Sequence, residues 1–144
     1  MSPDPGGDAR RGVGLAALVV RDYDEAIRFF VDALRFRLVE DAPSASTLQP
    51  GAMKRWVTIA APGGGAHLLL ARAADDAQAA RVGDQTGGRV AFFLYSDDFE
   101  GDLARLEAAG AAFPRGGVKE APYGRFIVFR DVAGNLWDLI DAPR

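Results

Sequence analysis

The side chains of this sequence best suited to chemistry are the carboxylate of Asp138 and the imidazole of His67, its only histidine. Asp138 has the same strand parity as Leu136 and Ile140, so we expect the three side chains to face one side of a sheet. A carboxylate between two large apolar neighbours must be paired, protonated, bound to a ligand or placed on a solvated concave face. We therefore predict that Asp138 is a metal ligand, general base or hydrogen-bond acceptor in a cavity, with a structural salt bridge to Arg89 as the alternative.

His67 begins a predicted strand. Its imidazole can ligate a divalent metal, and the alternative is a partly solvated side chain bonded to the backbone. Arg89, if it points inward, would bind a substrate carboxylate or neutralise Asp138, and its charge would repel a divalent cation. Because the sequence has no cysteine, disulfides, thiolate nucleophiles and thiolate metal sites are excluded.

Aromatic side chains could line a pocket for a planar or hydrophobic ligand, the alternative being an ordinary core. Phe93 and Tyr95 share strand parity with Arg89 and Ala91, so we expect these four to line one concave face. Trp137 alternates with its neighbour in sequence, Asp138, and is predicted to lie in the helix-facing layer.

The residues that must be positioned lie in elements that occur twice. In the first half, residues 13–20 are apolar and short, as in a buried strand. Asp22 with Glu25 has the spacing of a capping box, and apolar residues at helical intervals follow as far as Leu34. Three further strands are predicted at 36–39, 55–61 and 67–71, with a loop at 41–53.

The same order returns roughly 75 residues later. An apolar strand at 89–95 precedes a helix that begins after Asp98 and ends near Gly110. Apolar runs flank Asp-Val-Ala-Gly-Asn at 131–135, which predicts a β-hairpin. The strands of this half are predicted at 89–95, 111–114, 125–129 and 136–140.

The repeat predicts an α+β fold in which two βαβββ modules form a cupped, mostly antiparallel mixed β-sheet with the helices outside. We expect a flexible tail at 1–12 and a single domain at 13–144. Within that domain, module one is predicted at 13–72, a connection at 73–88 and module two at 89–141. A concave site between two such modules would suit a small ligand.

Composition excludes several classes of function. The net charge of -3, with both signs interspersed, provides no basic surface for nucleic acid. No apolar run approaches the length that spans a membrane, and the first residues lack the apolar core of a signal peptide. We therefore expect a cytoplasmic protein with neither a nucleic-acid nor a membrane partner.

The run Leu-Val-Val-Arg-Asp-Tyr-Asp-Glu-Ala-Ile-Arg-Phe-Phe at 18–30 resembles the opening of the vicinal oxygen chelate superfamily. That superfamily contains glyoxalase I, bleomycin-resistance proteins and extradiol dioxygenases. Segments at 88–99 and 123–140 look like its second module, so the resemblance covers roughly residues 13–141. It implies the vicinal oxygen chelate fold.

Enzymes of that superfamily hold one divalent metal through His and Glu side chains of both modules. The resemblance places the four ligand positions on Leu15, His67, Ala91 (or Arg89 if the register shifts by two) and Asp138. Two ligands of four remain, whereas a catalytic divalent site normally has at least three from the protein. His67 and Asp138 are thus the candidate metal ligands of an incomplete set, and the absence of any cofactor is favoured over a divalent metal.

Three functions remain open. The first is a small-molecule binding or sequestering protein of the glyoxalase/bleomycin-resistance type, a homodimer with its ligand in the cupped cavity. The second is a metal-dependent lyase, isomerase or dioxygenase, although not glyoxalase I itself, and the third is a metal-free acid–base enzyme with Asp138 as the catalytic base and Arg89 stabilising an oxyanion. The predicted ligand-binding residues are Leu15, Trp56, Arg89, Ala91, Phe93, Tyr95 and Tyr123.

Overall fold

The computed structural model describes residues 10–44 and 54–142, and its elements follow the predicted order. Residues 1–9 of the predicted tail and 45–53 of the predicted loop lie outside this part of the chain. The strands are β1 (Leu15–Val20), β2 (Arg37–Pro43), β3 (Arg55–Ala60), β4 (His67–Arg72), β5 (Val90–Ser96), β6 (Lys119–Ala121), β7 (Gly124–Arg130) and β8 (Leu136–Asp141). The helices are α1 (Tyr23–Arg28), which continues as a π-helical turn (Phe29–Ala33), α2 (Asp76–Ala79) and α3 (Phe99–Ala108).

The described strands form two four-stranded sheets, with strand orders β1-β4-β3-β2 and β5-β8-β7-β6. In each sheet the first strand of the module runs parallel to the last, and the other neighbours are antiparallel. The predicted fold of two βαβββ modules with mixed sheets is therefore confirmed. No helix within the described ranges has the length and apolar character needed to cross a membrane.

The first helix begins and ends as its sequence dictates. The Asp22 side chain accepts a hydrogen bond from the Glu25 backbone N–H at 2.7 Å, which is the predicted N-cap. At the other end, Arg35 adopts a φ of 59°, and the Phe36 N–H donates to the Phe30 carbonyl at 2.9 Å. This left-handed closure satisfies an end carbonyl that the helix itself cannot pair.

The predicted strand at 111–114 is wrong. The chain there joins the sheet through a single described hydrogen bond, from the Arg130 N–H to the Ala112 carbonyl at 3.0 Å. Pro114 has no N–H to donate, and the turn closed by the Gly116 N–H on the Phe113 carbonyl redirects the chain. The pairing falls instead to β6, inside a segment predicted as loop.

One hydrophobic core joins the two modules. The Trp137 ring of β8 lies 5.6 Å from the Phe30 ring and 6.1 Å from the Phe36 ring, both from the first module. Trp137 therefore lies in the helix-facing layer, as predicted. The helix-facing layers of both sheets meet here, so the opposite face of each sheet, called here the open face, points away from the shared core.

The predicted hairpin between β7 and β8 is confirmed and is held by one carboxylate. Asp131 Oδ1 accepts hydrogen bonds from the N–H groups of Ala133, Gly134 and Asn135 at 2.9 to 3.0 Å. Its Oδ2 accepts a bond from Trp137 Nε1 at 2.8 Å. Asp131 thus fixes both the turn and the indole that anchors β8 in the core.

The connection between the modules binds the edge of the first sheet. Gln85 Oε1 accepts a hydrogen bond from the Val19 N–H at 2.9 Å, and Gln85 Nε2 donates to the Ala17 carbonyl at 2.8 Å. The Gln85 N–H in turn donates to the Asn135 side chain at 3.2 Å. The Gln85 side chain therefore occupies the hydrogen-bonding edge of β1, and the Gln85 backbone links that edge to the β7–β8 turn.

Candidate ligand-binding cavity

A cavity of about 560 Å³ opens on the open face of the second sheet. Its walls come from β5, β7 and β8 and from the segment 115–123, which contains the edge strand β6. The volume is in the range of sites that hold drug-sized ligands. We refer to it as the Asp138 cavity.

Asp138 lies in the interior of this cavity. In the ladders of β8 it is opposite Phe93 of β5 and Val128 of β7, so apolar side chains flank it on both sides. The residue is only 6% exposed, and its Oδ1 is buried without a hydrogen-bond partner among the described residues. Burial raises the pKa of this carboxyl, and the charge of Arg115 acts in the opposite direction.

The unpartnered carboxyl of Asp138 can form a hydrogen bond with a ligand. As a carboxylate it can accept a hydrogen bond from a ligand N–H or O–H, and as an acid it can donate one. Leaving such a group unpaired costs roughly 1 to 3 kcal/mol or more, and a ligand that supplies the missing partner recovers this energy on binding. The upward shift of the Asp138 pKa is in the direction that acid–base catalysis at neutral pH requires.

Cationic side chains stand around Asp138 at more exposed positions. Arg89, Arg115 and Lys119 contribute to the cavity wall, and all three are exposed. The described ion pairs include none between Arg89 and Asp138, so the predicted structural salt bridge does not form. Lys119 Nζ instead donates to the backbone carbonyl of Arg115.

Aromatic rings form the apolar part of the mouth. Phe93 and Tyr123 are 57% and 51% exposed, and the Tyr123 ring lies 5.8 Å from that of Phe126, which also lines the cavity. Tyr95, on the same strand as Phe93, does not reach this cavity. It lines a separate groove of about 920 Å³ that Phe93 also borders.

A β-bulge decides which residues of β5 reach the cavity. Val90 pairs with Leu136, but the next pair is Phe92 with Trp137, so β5 carries one extra residue, Ala91. Val90 consequently lines the cavity and Ala91 does not. The residue opposite Asp138 is Phe93, which the sequence predicted to line the concave face together with Ala91; the prediction for Ala91 is wrong because of the bulge.

The predicted residues of the first module lie elsewhere. Leu15 and His67 are paired across β1 and β4 on the open face of the first sheet, and the His67 N–H donates to the Gly14 carbonyl at 2.9 Å. Trp56 of β3 lies on that same face and is 39% exposed. None of the three lines the Asp138 cavity. The structure thus brings together Arg89, Phe93, Tyr123 and Asp138 and separates them from the first-module residues.

Sequence reasoning missed several wall residues. Val90 was hidden by the bulge, and Arg115 and Lys119 fall in a segment that the sequence predicts as strand end and loop. Phe126 and Val128 share the parity of Asp138's face on the neighbouring strand, and their alternation with the core residues Ile127 and Phe129 was the available signal.

The metal-ligating side chains of the chain do not fit a divalent centre. The imidazole of His67 and the carboxylate of Asp138 belong to different sheets, and no group of three or more His, Cys, Asp or Glu side chains occurs within 10–44 and 54–142. A catalytic divalent ion in a protein normally takes at least three side-chain ligands. We therefore derive no chemical step through a metal.

Comparison with known proteins gives a consistent picture. Residues 12–139 match the family described as the Glyoxalase/Bleomycin resistance protein/Dioxygenase superfamily. An uncharacterised protein of Shewanella frigidimarina is 49% identical over 125 residues, which is 86% of this chain and 88% of that protein.

Solved structures share the fold. TnmS3, an antibiotic binding protein from Streptomyces sp. CB03234, is 30% identical with a TM-score of 0.68, over 94% of this chain and 98% of that one. A glyoxylase/bleomycin resistance protein/dioxygenase domain from Frankia sp. EAN1pec superposes with a TM-score of 0.69 at 22% identity, over 94% and 100% of the two chains. At that identity the second likeness concerns the fold alone.

Proposed function

Because the chain belongs to the Glyoxalase/Bleomycin resistance protein/Dioxygenase superfamily, we propose that it binds and sequesters a small organic molecule in the Asp138 cavity. The observation that carries the proposal is the buried, unpartnered Oδ1 of Asp138 in a cavity of about 560 Å³. A concave, largely apolar site with a few convergent polar groups is the usual form of a small-molecule site.

The flanking residues favour binding over metal chemistry. Asp138 faces Phe93 and Val128 across its two ladders, and both neighbours are apolar. Likewise, His67 faces Leu15 in the first sheet. Apolar partners provide surface for a ligand and no further donor for a metal. The similarity to TnmS3, an antibiotic binding protein, supports sequestration as the activity.

We further propose that the protein acts as a homodimer in the cytoplasm. Phe93 and Tyr95 of the edge strand β5 are 57% and 69% exposed, and Leu15 and Trp56 are exposed on the open face of the first sheet. Exposed apolar side chains on sheet faces and edges favour association. The first sheet of a second copy, placed against the open face of the second sheet, would enclose the Asp138 cavity. The absence of cysteine supports a reducing compartment.

The dimer is tested by light scattering coupled to size-exclusion chromatography. The wild-type protein is expected to have the mass of two chains, and Tyr95→Asp, which puts a charge on the exposed patch, is expected to shift it toward one. A wild-type protein that is monomeric at all accessible concentrations would contradict the dimer and leave the Asp138 cavity open to solvent.

The binding function is tested by screening aromatic natural products and antibiotics for compounds that raise the melting temperature. Asp138→Leu removes the acceptor oxygens and keeps the branched shape of the side chain, whereas Asp138→Asn keeps one acceptor. Compounds that stabilise the wild-type protein and Asp138→Asn should lose their effect on Asp138→Leu. A panel without any stabilising compound, or one that stabilises Asp138→Leu equally, would contradict the proposal.

A second candidate is a metal-free acid–base enzyme with Asp138 as the base. The raised pKa of this buried carboxyl favours it, because a base poised nearer to neutral pH transfers protons efficiently. Here Asp138 would remove a proton from a bound molecule while Arg89 or Arg115 stabilised the resulting oxyanion. Liquid chromatography coupled to mass spectrometry of each stabilising compound after incubation tests this, because chromatography separates isomers of equal mass. A product formed by the wild-type protein and not by Asp138→Asn would support it, and recovery of every compound unchanged would oppose it.

A metal-dependent lyase, isomerase or dioxygenase is the third alternative, and it is tested by elemental analysis of protein purified without a nickel column or chelator. With His67 and Asp138 as the candidate donors, we expect less than stoichiometric metal. Stoichiometric iron, zinc, nickel or manganese that is lost in His67→Ala would instead support this alternative.

A further inference from the structure

The walls of the Asp138 cavity carry more positive than negative charge. We propose that the ligand is an aromatic anion: a planar apolar body with a carboxylate, sulfonate or phosphate group at one end and an N–H or O–H donor at the other. The anionic end would lie at Arg89, Arg115 and Lys119, and the donor would point to Asp138. This inference rests on the proposed binding function and specifies its ligand.

Cationic side chains outnumber carboxylates in the wall of the Asp138 cavity. Three cationic side chains line the cavity, and Asp138 is the single carboxylate among the lining residues. The whole sequence has a net charge of -3, so this positive concentration runs against the overall balance of the protein. A concave wall with one sign of charge raises the local concentration of ligands with the opposite sign.

The two arginines of the cavity wall differ from other arginines of the protein in their ion pairing. Arg55, Arg105 and Arg125 each form two ion pairs with Asp or Glu side chains. By contrast, Arg89 and Arg115 take part in none of the described ion pairs. Guanidinium groups suit planar, two-point binding of carboxylate, sulfonate or phosphate oxygens. Their charge in the cavity is thus available for a ligand.

The charged groups of the cavity differ in how deeply they are buried. Asp138 is buried, whereas the cationic side chains are exposed, and Phe93, Phe126 and Val128 add apolar surface to the same cavity wall. A ligand that satisfies both kinds of polar group therefore needs a donor that reaches inward and an anion that stays near solvent. An aromatic body would cover the apolar surface of the wall.

Two fluorescent dyes form a matched test. The probe 2-anilinonaphthalene-6-sulfonate has aromatic rings with an N–H near one end and a sulfonate at the other, and N-phenyl-2-naphthylamine is the same molecule without the sulfonate. In fluorescence titrations of the wild-type protein, we expect the sulfonated dye to bind about tenfold more tightly at low salt. We expect 1 M salt to remove most of this preference, because it screens exposed charges.

Substitutions of the two arginines test whether they cause the preference for the sulfonated dye. Arg115→Gln and Arg89→Gln should each lower the affinity for the sulfonated dye by about three- to tenfold and leave the affinity for the neutral dye unchanged. Both side chains are exposed and outside the described ion pairs, so both variants should fold. Arg81→Gln changes charge equally at an exposed position outside the cavity, and its titrations should match those of the wild-type protein.

The outcomes separate the two proposals. If both dyes bound with equal affinity and Asp138→Leu lowered the affinity for both, the proposal of an anionic ligand would be overturned and the proposed binding function would stand. Equal weakening of both dyes by Arg115→Gln would also overturn it. If neither dye bound, or if Asp138→Leu bound both as the wild-type protein does, the anionic ligand and the binding function would fall together.

Discussion

Phe93 and Asp138 are direct partners across β5 and β8, yet Phe93 is 57% exposed and Asp138 only 6%. The ring therefore stands at the mouth of the cavity, beside the carboxyl in its interior. The bulge at Ala91 creates this pairing, because without the extra residue a different side chain of β5 would lie opposite Asp138. The register between β5 and β8 thus places an apolar ring, Phe93, beside a polar group, Asp138, so that one ligand could contact both.

Phe93→Ala is predicted to weaken aromatic ligands without lowering stability. The exposed ring contributes little to the core but would stack on a bound aromatic body, so we expect about a five- to tenfold loss of affinity. Titration with N-phenyl-2-naphthylamine measures the loss. Tyr95→Ala is the matched control on the same strand and face, because Tyr95 lines the other groove and not the Asp138 cavity, and the two variants are compared at the same oligomeric state. Equal losses in the two variants would contradict the assignment of the ligand to the Asp138 cavity.

Asp138→Asn is predicted to change how stability depends on pH. Burial raises the folded-state pKa of Asp138 above its ordinary 3.8, so between these two values the folded protein holds more protons than the unfolded chain. The free energy of unfolding of the wild-type protein therefore falls as the pH rises through this window. Asp138→Asn lacks this loss and should gain stability relative to the wild-type protein until the pH exceeds the folded-state pKa.

Asp41→Asn is the control with the opposite sign. Hydrogen bonds from Arg55 lower the pKa of Asp41, so this carboxylate stabilises the fold above its ordinary pKa and loses that effect as the pH falls. Urea unfolding at a series of pH values measures both variants. Curves for Asp138→Asn that stay parallel to the wild-type curve would contradict the prediction for Asp138.

Asp131→Asn is predicted to destabilise the protein by about 2 to 3 kcal/mol, because four N–H donors point at two carboxylate oxygens and an amide NH₂ must face one of them. Urea unfolding measures the loss. In a Trp137→Phe background one of these donors is already gone, so the same substitution should cost less. A full-sized loss in that background would show that the bond to the indole contributes nothing.

Gln85→Leu is predicted to cost roughly 1 to 2 kcal/mol and to promote association at the uncovered edge of β1. The substitution removes both hydrogen bonds that the side chain makes to Val19 and Ala17. Gln78→Leu is the control, because that side chain accepts one local bond, from the Ala74 N–H. Thermal unfolding and size-exclusion chromatography would detect the two effects, and equal behaviour of the variants would contradict the role of Gln85.

Arg35→Gly is predicted to stabilise the protein by up to about 1 kcal/mol. Arg35 has a φ of 59°, in the left-handed region where a side chain is strained and glycine is not. Arg37→Gly, two residues later in β2, should instead destabilise, because glycine weakens a strand interior. A loss of stability in Arg35→Gly would show that contacts of the arginine side chain outweigh the backbone strain.

Local chemistry explains what the sequence predicted well. The N-caps at Asp22 and Asp98 and the turn at Asp131 are interactions within a few residues, so they are visible in the sequence. The burial of Trp137 followed from its alternation with Asp138. Periodicity and caps together were enough to give the two modules and their order.

The parts that failed depend on contacts distant in sequence. The pairing of β6 with β7 follows from how the segment after Pro114 returns to the sheet, and the bulge at Ala91 follows from the ladder with β8. How the modules pack is set by the contact of Phe30 with Trp137, far apart in the chain. His67 consequently does not line the Asp138 cavity, and no local pattern encodes that outcome.

The most direct test of a ligand site at Asp138 is a crystal structure of the protein with 2-anilinonaphthalene-6-sulfonate. We expect the dye in the Asp138 cavity, with its anilino nitrogen about 3 Å from an Asp138 carboxyl oxygen and its rings against Phe93. A dye bound only in the groove beside Tyr95, with the Asp138 cavity filled by solvent at saturating concentration, would contradict it.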